Sequence, residues 1–115
     1  MTTYSGSCHC GEVTFDVMND LTAPVRCNCS FCRRRGAMLH RVMTEEFCLK
    51  KGEDRVRAYG NRDFSKHFFC STCGIHVFTR VDREGRKSVM VNLNCIEGLE
   101  IDALTPTHFD GARLI

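Results

Sequence analysis

Cysteine is the residue type that stands out in this sequence. Nine occur in 115 residues: Cys8, Cys10, Cys27, Cys29, Cys32, Cys48, Cys70, Cys73 and Cys95. Seven of them fall in three clusters, Cys8-His9-Cys10, Cys27-Asn28-Cys29-Ser30-Phe31-Cys32 and Cys70-Ser71-Thr72-Cys73. The count is odd and the gaps are one or two residues. The stretch from Met1 to Cys10 also lacks the basic start and apolar run of an export signal. Together these features argue against a disulfide framework and for metal-binding thiolates in a reducing compartment. The expectation is a cytoplasmic protein.

Thiolates select soft or borderline metals, zinc first among them. Four sulfurs at ~2.3 Å from a zinc ion lie a little under ~4 Å from one another. Cys8 and Cys10, at i and i+2 of an extended chain, face one side, and Gly11 frees the backbone to bend after them. Cys70 and Cys73 form a two-residue-gap knuckle followed by Gly74. Two sulfurs from each cluster complete a closed, structural zinc site. Cys27, Cys29 and Cys32 then offer three thiolates from one loop, the pattern of a catalytic zinc with an open position. The alternative is a second structural zinc closed by Cys95 or Cys48. Cys48, between Phe47 and Leu49, reads as a buried inert thiol. His9, His40, His67, His76 and His108 show no paired spacing and read as surface or core residues rather than ligands.

Cations cluster around the second group. Arg33, Arg34 and Arg35 follow Cys32 directly, and with Arg62 and Lys66 they are candidates to pair with the carboxylates of an anionic substrate. The net charge of +2 is unevenly spread, because residues 26–87 hold fifteen basic against seven acidic residues while both flanks are acidic. That belt suits a small anion. Nucleic acid is not expected, since Glu45, Glu46, Glu53 and Asp54 interrupt the belt and aromatic residues seldom interleave with it.

Short β-strands must position these loops. Glu12 to Val17 alternates polar and apolar residues, the period of a half-buried strand. Phe47–Lys50, Arg55–Tyr59, Lys66–Cys70, His76–Val81 and Ser88–Leu93 read likewise. Lys51-Gly52-Glu53-Asp54 reads as a turn, and Asp82-Arg83-Glu84-Gly85 as the turn of a hairpin. Ser30–Arg35 reads as one helical turn capped by Ser30, and a second short helical piece is expected within Ile96–Leu104. No apolar run approaches the ~20 residues of a transmembrane helix, so no membrane partner is expected. Length and composition predict one mainly β domain over residues 1–115.

Taken together, Gly6-Ser7-Cys8-His9-Cys10-Gly11, Cys27-Asn28-Cys29-Ser30-Phe31-Cys32-Arg33-Arg34 and Phe69-Cys70-Ser71-Thr72-Cys73-Gly74 resemble the glutathione-dependent formaldehyde-activating (GFA) family, which includes centromere protein V. Val91-Asn92-Leu93-Asn94-Cys95-Ile96-Glu97-Gly98 and His108-Phe109-Asp110-Gly111 look like the family's later motifs, so the resemblance spans about residues 4–111. It implies an Mss4-like fold of packed antiparallel β-sheets. It also implies a structural zinc on Cys8, Cys10, Cys70 and Cys73 and a catalytic zinc on Cys27, Cys29 and Cys32. The implied activity is carbon–sulfur lyase chemistry, the reversible joining of formaldehyde and glutathione to S-hydroxymethylglutathione. The chain departs from members named for that reaction in being shorter, and in lacking an aromatic residue after His-Phe-Asp-Gly. Shared fold and metal do not by themselves establish a shared reaction. The competing readings are a non-catalytic zinc-stabilised binding module, and a redox enzyme that would need Cys95 exposed and reactive.

Overall fold

The computed structural model describes residues 2–115. It is mainly β, as expected. Ten strands, β1 (Thr3–Ser7), β2 (Thr14–Met18), β3 (Val25–Cys27), β4 (Leu39–Met43), β5 (Phe47–Lys51), β6 (Val56–Tyr59), β7 (Ser65–Cys70), β8 (His76–Arg83), β9 (Arg86–Asn92) and β10 (Thr107–Phe109), build two sheets. Two short helices, α1 (Ser30–Arg35) and α2 (Gly111–Leu114), complete it. The smaller sheet runs β1-β2-β5 and the larger β10-β3-β4-β9-β8-β7-β6. Among the described residues the strand pairings are antiparallel, as expected, apart from the short parallel pairing of β10 with β3. That strand returns from the C-terminal end of the chain to lie beside the Cys27 loop.

The core fills the space between the sheets. Val13, Phe15, Val17 and Phe47 come from the small-sheet side, and Val42, Val77, Phe78, Val89 and Val91 from the large sheet. Phe47 joins the sheets, with ring centroids 5.4 Å from Phe15 and 4.8 Å from Phe78. Gly6 lies directly under the Phe15 ring, where an added β-carbon would collide with it. Burying such side chains contributes roughly 1.5–3 kcal/mol each, and strict strand alternation delivers them to one face.

The six sequence-predicted strands are all present, with ends shifted by at most two residues. β1, β3, β4 and β10 were not predicted. β1 reads Thr-Tyr-Ser-Gly-Ser and β3 and β10 are three residues each, too polar or too short to show a period. In β4 the buried His40 breaks the apolar pattern, yet it is satisfied: Ala23 N donates to its Nε2 at 3.0 Å, and Nδ1 lies 2.7 Å from Arg41 O. The β8–β9 hairpin turns through Glu84 and Gly85, with φ of 56° and 78°, the positive pair that a two-residue hairpin turn requires. Arg55 N donates to Gly52 O at 2.8 Å in the other predicted turn. A 3₁₀ turn at Ile101–Ala103 lies within the predicted helical piece. Among the described residues no helix is long and apolar enough to cross a membrane.

Candidate metal centres

All nine cysteines are free thiols, and seven gather into two groups whose sulfurs lie within 4.8 Å of one another. In the first, Cys8 Sγ and Cys10 Sγ are 3.7 Å apart, and Cys10 Sγ and Cys70 Sγ are also 3.7 Å apart. Those separations match the edge of a zinc–thiolate tetrahedron. Two similar turns build the group. Gly11 N donates to Cys8 O at 3.3 Å and Val13 N to Cys8 Sγ at 3.3 Å. Gly74 N donates to Cys70 O at 2.8 Å and Thr72 N to Cys70 Sγ at 3.4 Å. Gly11 and Gly74 have φ of 82° and 79°, a region costly for any residue with a β-carbon. The paired strands β7 and β8 carry an irregularity at Phe68/Phe69, just before Cys70. A bulge there re-aims the chain into the knuckle.

The thiol protons of this group are shared unequally. Burial opposes ionisation of Cys73, but backbone N–H groups and hydrogen bonds from Cys10 and Cys70 outweigh it and bring the thiol down to about 6. Cys10 receives a backbone hydrogen bond at Glu12 that favours its thiolate. Desolvation and the neighbouring sulfurs of Cys8, Cys70 and Cys73 prevail and push it up to about 12.

The second group is Cys27, Cys29 and Cys32. Cys27 ends β3, and the other two sit at the start of α1. The helix cap corrects the sequence expectation of Ser30: Cys29 Sγ accepts from Cys32 N at 3.4 Å and is the N-cap, because its sulfur takes the place of a hydroxyl oxygen. Cys29 N in turn donates to Cys27 Sγ at 3.4 Å. Burial works against the Cys29 thiolate, but the N–H of Cys32 and hydrogen bonds from Cys32, Cys27 and Arg62 bring it down to about 7. Burial pushes Cys32 up to about 12 against the pull of Arg35.

The C-terminal motif closes over this loop. Asn28 N donates to Phe109 O at 3.2 Å, Asn28 Nδ2 donates to Asp110 Oδ1 at 3.0 Å, and Ala112 N donates to Asn28 Oδ1 at 2.9 Å. Gly111 packs so tightly that an added β-carbon would lie 2.6 Å from Cys27 Sγ. A cavity of about 320 Å³ opens beside the group, lined by Cys27, Cys32, Arg26, Arg33, His108 and Asp110 among others.

The cationic candidates divide. Arg33 lines the cavity, and Arg62 reaches Cys29. Arg34 is exposed and donates to Ser30 O at 2.8 Å, and Lys66 Nζ donates to Gly60 O at 2.7 Å, away from the sulfurs. Arg35 is turned inward, donating from Nη2 to Cys32 Sγ at 2.9 Å. Cys48 is exposed rather than buried, since Phe47 takes the inward position of β5. Cys95 is buried, donates to His76 O at 3.6 Å, and is pushed up to about 12 by desolvation and by the nearby sulfurs of Cys8 and Cys73. Neither joins the three-cysteine group, which removes the closed-site alternative that depended on them. Cys95 is buried, so it is not the exposed thiol that the redox reading needs. His9 and His108 are exposed, while His67 and His76 are buried.

The profile described as "Glutathione-dependent formaldehyde-activating enzyme" matches residues 3–109. The chain belongs to that family. A crystal structure of a Rhodobacter sphaeroides protein is similar at 32% identity with a TM-score of 0.79, covering 90% of this chain and 97% of that one. Both cysteine groups lie within the GFA match. Sequence reasoning missed Asn28 and Gly111 as builders of the second group and the inward turn of Arg35. The His-Phe-Asp-Gly motif was the available signal for Gly111, but nothing in one dimension shows that β10 pairs with β3.

Proposed function

We propose that this GFA-family protein is a zinc-dependent carbon–sulfur lyase acting on a thiol–aldehyde adduct, with glutathione and formaldehyde as its reference pair. Family membership supports a function related to glutathione and formaldehyde. The observation that carries the finer reading is the contrast between the two groups. One has four sulfurs and is complete, and the other has three and borders a cavity with two arginines. The donor sets fit zinc: all thiolates, at tetrahedral spacing where the distances are 3.7 Å. Cys8, Cys10, Cys70 and Cys73 would hold a structural ion, and Cys27, Cys29 and Cys32 a second one. Zinc bound there would keep a substrate thiol deprotonated by accepting it as a fourth ligand, a match of soft metal and soft donor.

The chain's own residues then bind and orient. Arg26 and Arg33 face the cavity and pair with the carboxylates of an anionic thiol. Cavity volume of about 320 Å³ suits a ligand of that class. In the joining direction the substrate sulfur forms a bond to the carbonyl carbon, and the C=O π pair moves to oxygen, which takes a proton. In the lyase direction the hydroxyl loses that proton and the carbon–sulfur bond breaks. Holding both partners in one site replaces a bimolecular encounter with an oriented one.

The test is Cys29→Ser, with zinc stoichiometry and thiol–formaldehyde exchange measured on one preparation. The expected result is loss of one zinc of two, a native circular dichroism spectrum and collapse of exchange by at least about 100-fold. A folded variant with undiminished turnover refutes the role of this group.

A further inference from the structure

Arg35 ends α1, one turn after Cys32. Besides the bond from Nη2 to Cys32 Sγ, its Nη1 lies 2.9 Å from both Nδ1 and Nε2 of His76. The lone pairs of those two nitrogens diverge, so a donor equidistant from both is seated against the ring rather than along one lone pair. Such a seat suits an uncharged imidazole. The guanidinium carbon also lies 4.8 Å from the centre of the Phe31 ring, within cation–π range.

These walls are themselves fixed. His76 Nε2 and His67 Nδ1 each lie 2.8 Å from Thr79 Oγ1, and His67 stacks on Phe31 with centroids 3.9 Å apart. Strands β7 and β8 thereby hold the guanidinium against α1. Arg35 Nε is buried and has no partner. A buried N–H left unpaired is costly, and an apolar side chain would fill the same space without that cost.

We propose that Arg35 is a positioning residue for the three-cysteine metal centre: a fixed cation that orients the Cys32 thiolate and offsets the negative charge the centre gains. Three neutral thiols that release their protons to a divalent ion become a group of charge −1, and a substrate thiolate makes it −2. A planar guanidinium at hydrogen-bond distance from one sulfur favours both steps. The inference rests on the three-thiolate centre described under the proposed function, but not on the aldehyde chemistry.

The test uses cobalt(II) alone as the probe, because thiolate-to-cobalt charge-transfer absorption reports directly on the sulfur ligands. Wild type, Arg35→Met and Arg35→Lys are titrated with cobalt against a competing chelator. The four-cysteine centre in each protein serves as an internal control for folding. Arg35→Met keeps the buried volume and loses the charge and the N–H. It is expected to bind cobalt at the three-cysteine centre about 10-fold to 100-fold more weakly. Its charge-transfer band should move to lower energy, because the sulfur lone pair is no longer stabilised, while the other centre stays unchanged. Arg35→Lys restores the charge without the fork and is expected to fall between.

A band and affinity at the three-cysteine centre equal to wild type in Arg35→Met overturn the proposal, as does uptake of only one cobalt by wild type. If Arg35→Met does not fold, Arg35→Lys decides: a selective loss at the second centre supports the proposal, and wild-type values overturn it. Should two cobalt ions bind and Arg35→Met behave as expected while wild type shows no thiol–formaldehyde exchange, the proposed function falls and the role of Arg35 stands.

Discussion

A β-carbon on Gly111 would lie 2.6 Å from Cys27 Sγ, 3.2 Å from Cys29 Cβ and 3.4 Å from Ile115 Cδ1. Glycine is needed here for closeness rather than for backbone conformation, since Gly111 is not among the residues with positive φ. Gly111→Ala must therefore displace either the helix α2 or the sulfur of Cys27. The expected outcome is a folded protein whose second metal is held about 10-fold or more weakly, with the first unaffected, as read by zinc stoichiometry under chelator challenge. Equal retention of both metals would show that α2 yields instead. At this scale the cysteine groups were legible from spacing alone, because one- and two-residue gaps restrict where sulfurs can go. Isolated thiols were not. Period-2 alternation with Phe47 and Leu49 facing inward already required Cys48 to face out, and the expectation of a buried thiol overlooked it. The fate of Cys95 depended on neighbours from β8 and the first metal loop, which no local pattern reveals.

Single elements carry the next layer of the design. The two glycine-terminated knuckles, the Glu84-Gly85 hairpin and α1 were readable because each is specified by residues within a few positions of one another. β3 and β10 exist only as partners of other strands, and three residues cannot show a period. The link between β7 and β8 through His67, Thr79 and His76 is likewise a product of strand register, with His67 opposite Thr79. Burial, reinforced by the charge of Arg35, pushes His67 down to about 4 and His76 down to about 2. The unfolded chain therefore binds protons that the folded chain refuses, beginning at the ordinary histidine value near 6.5. Stability is fully present above that value and falls as pH drops from 6.5 toward 4 and below. His67→Asn places an amide where Nδ1 meets Thr79 and cannot titrate. It is expected to lower the melting temperature at pH 7, through loss of the Phe31 stack, yet to show a shallower decline between pH 6.5 and 4 than wild type. Parallel declines in the two proteins would remove His67 from the account of acid sensitivity.

Across the whole molecule the two cysteine groups would do different mechanical work once each holds a metal. Cys8 and Cys10 follow β1 of the small sheet, whereas Cys70 and Cys73 flank the turn between β7 and β8 of the large one. A metal there links the two sheets and closes a long loop, with Cys10 and Cys70 sixty positions apart. The chain-entropy relation for a cross-link of that length gives on the order of 4 kcal/mol, in addition to the packing it locks between Phe15, Phe47 and Phe78. Cys27, Cys29 and Cys32 all lie on the β3–α1 segment of the large sheet, so a metal held there would close only a short loop and join no separate layers. The fold should depend on the first centre and the chemistry on the second. Cys70→Ser is expected to release one zinc and lower the melting temperature by about 15 °C or more, with near-complete loss of folded protein at growth temperature. Cys29→Ser is expected to release one zinc with a fall of only about 5 °C. Both variants are measured by calorimetry beside zinc analysis, with and without excess zinc. Added zinc should raise the melting temperature of wild type only slightly and should not restore Cys70→Ser, because a missing ligand is not a missing ion. Equal losses of stability in the two variants would make both centres structural, and a wild-type melting temperature in Cys70→Ser would mean that the core alone holds the sheets together.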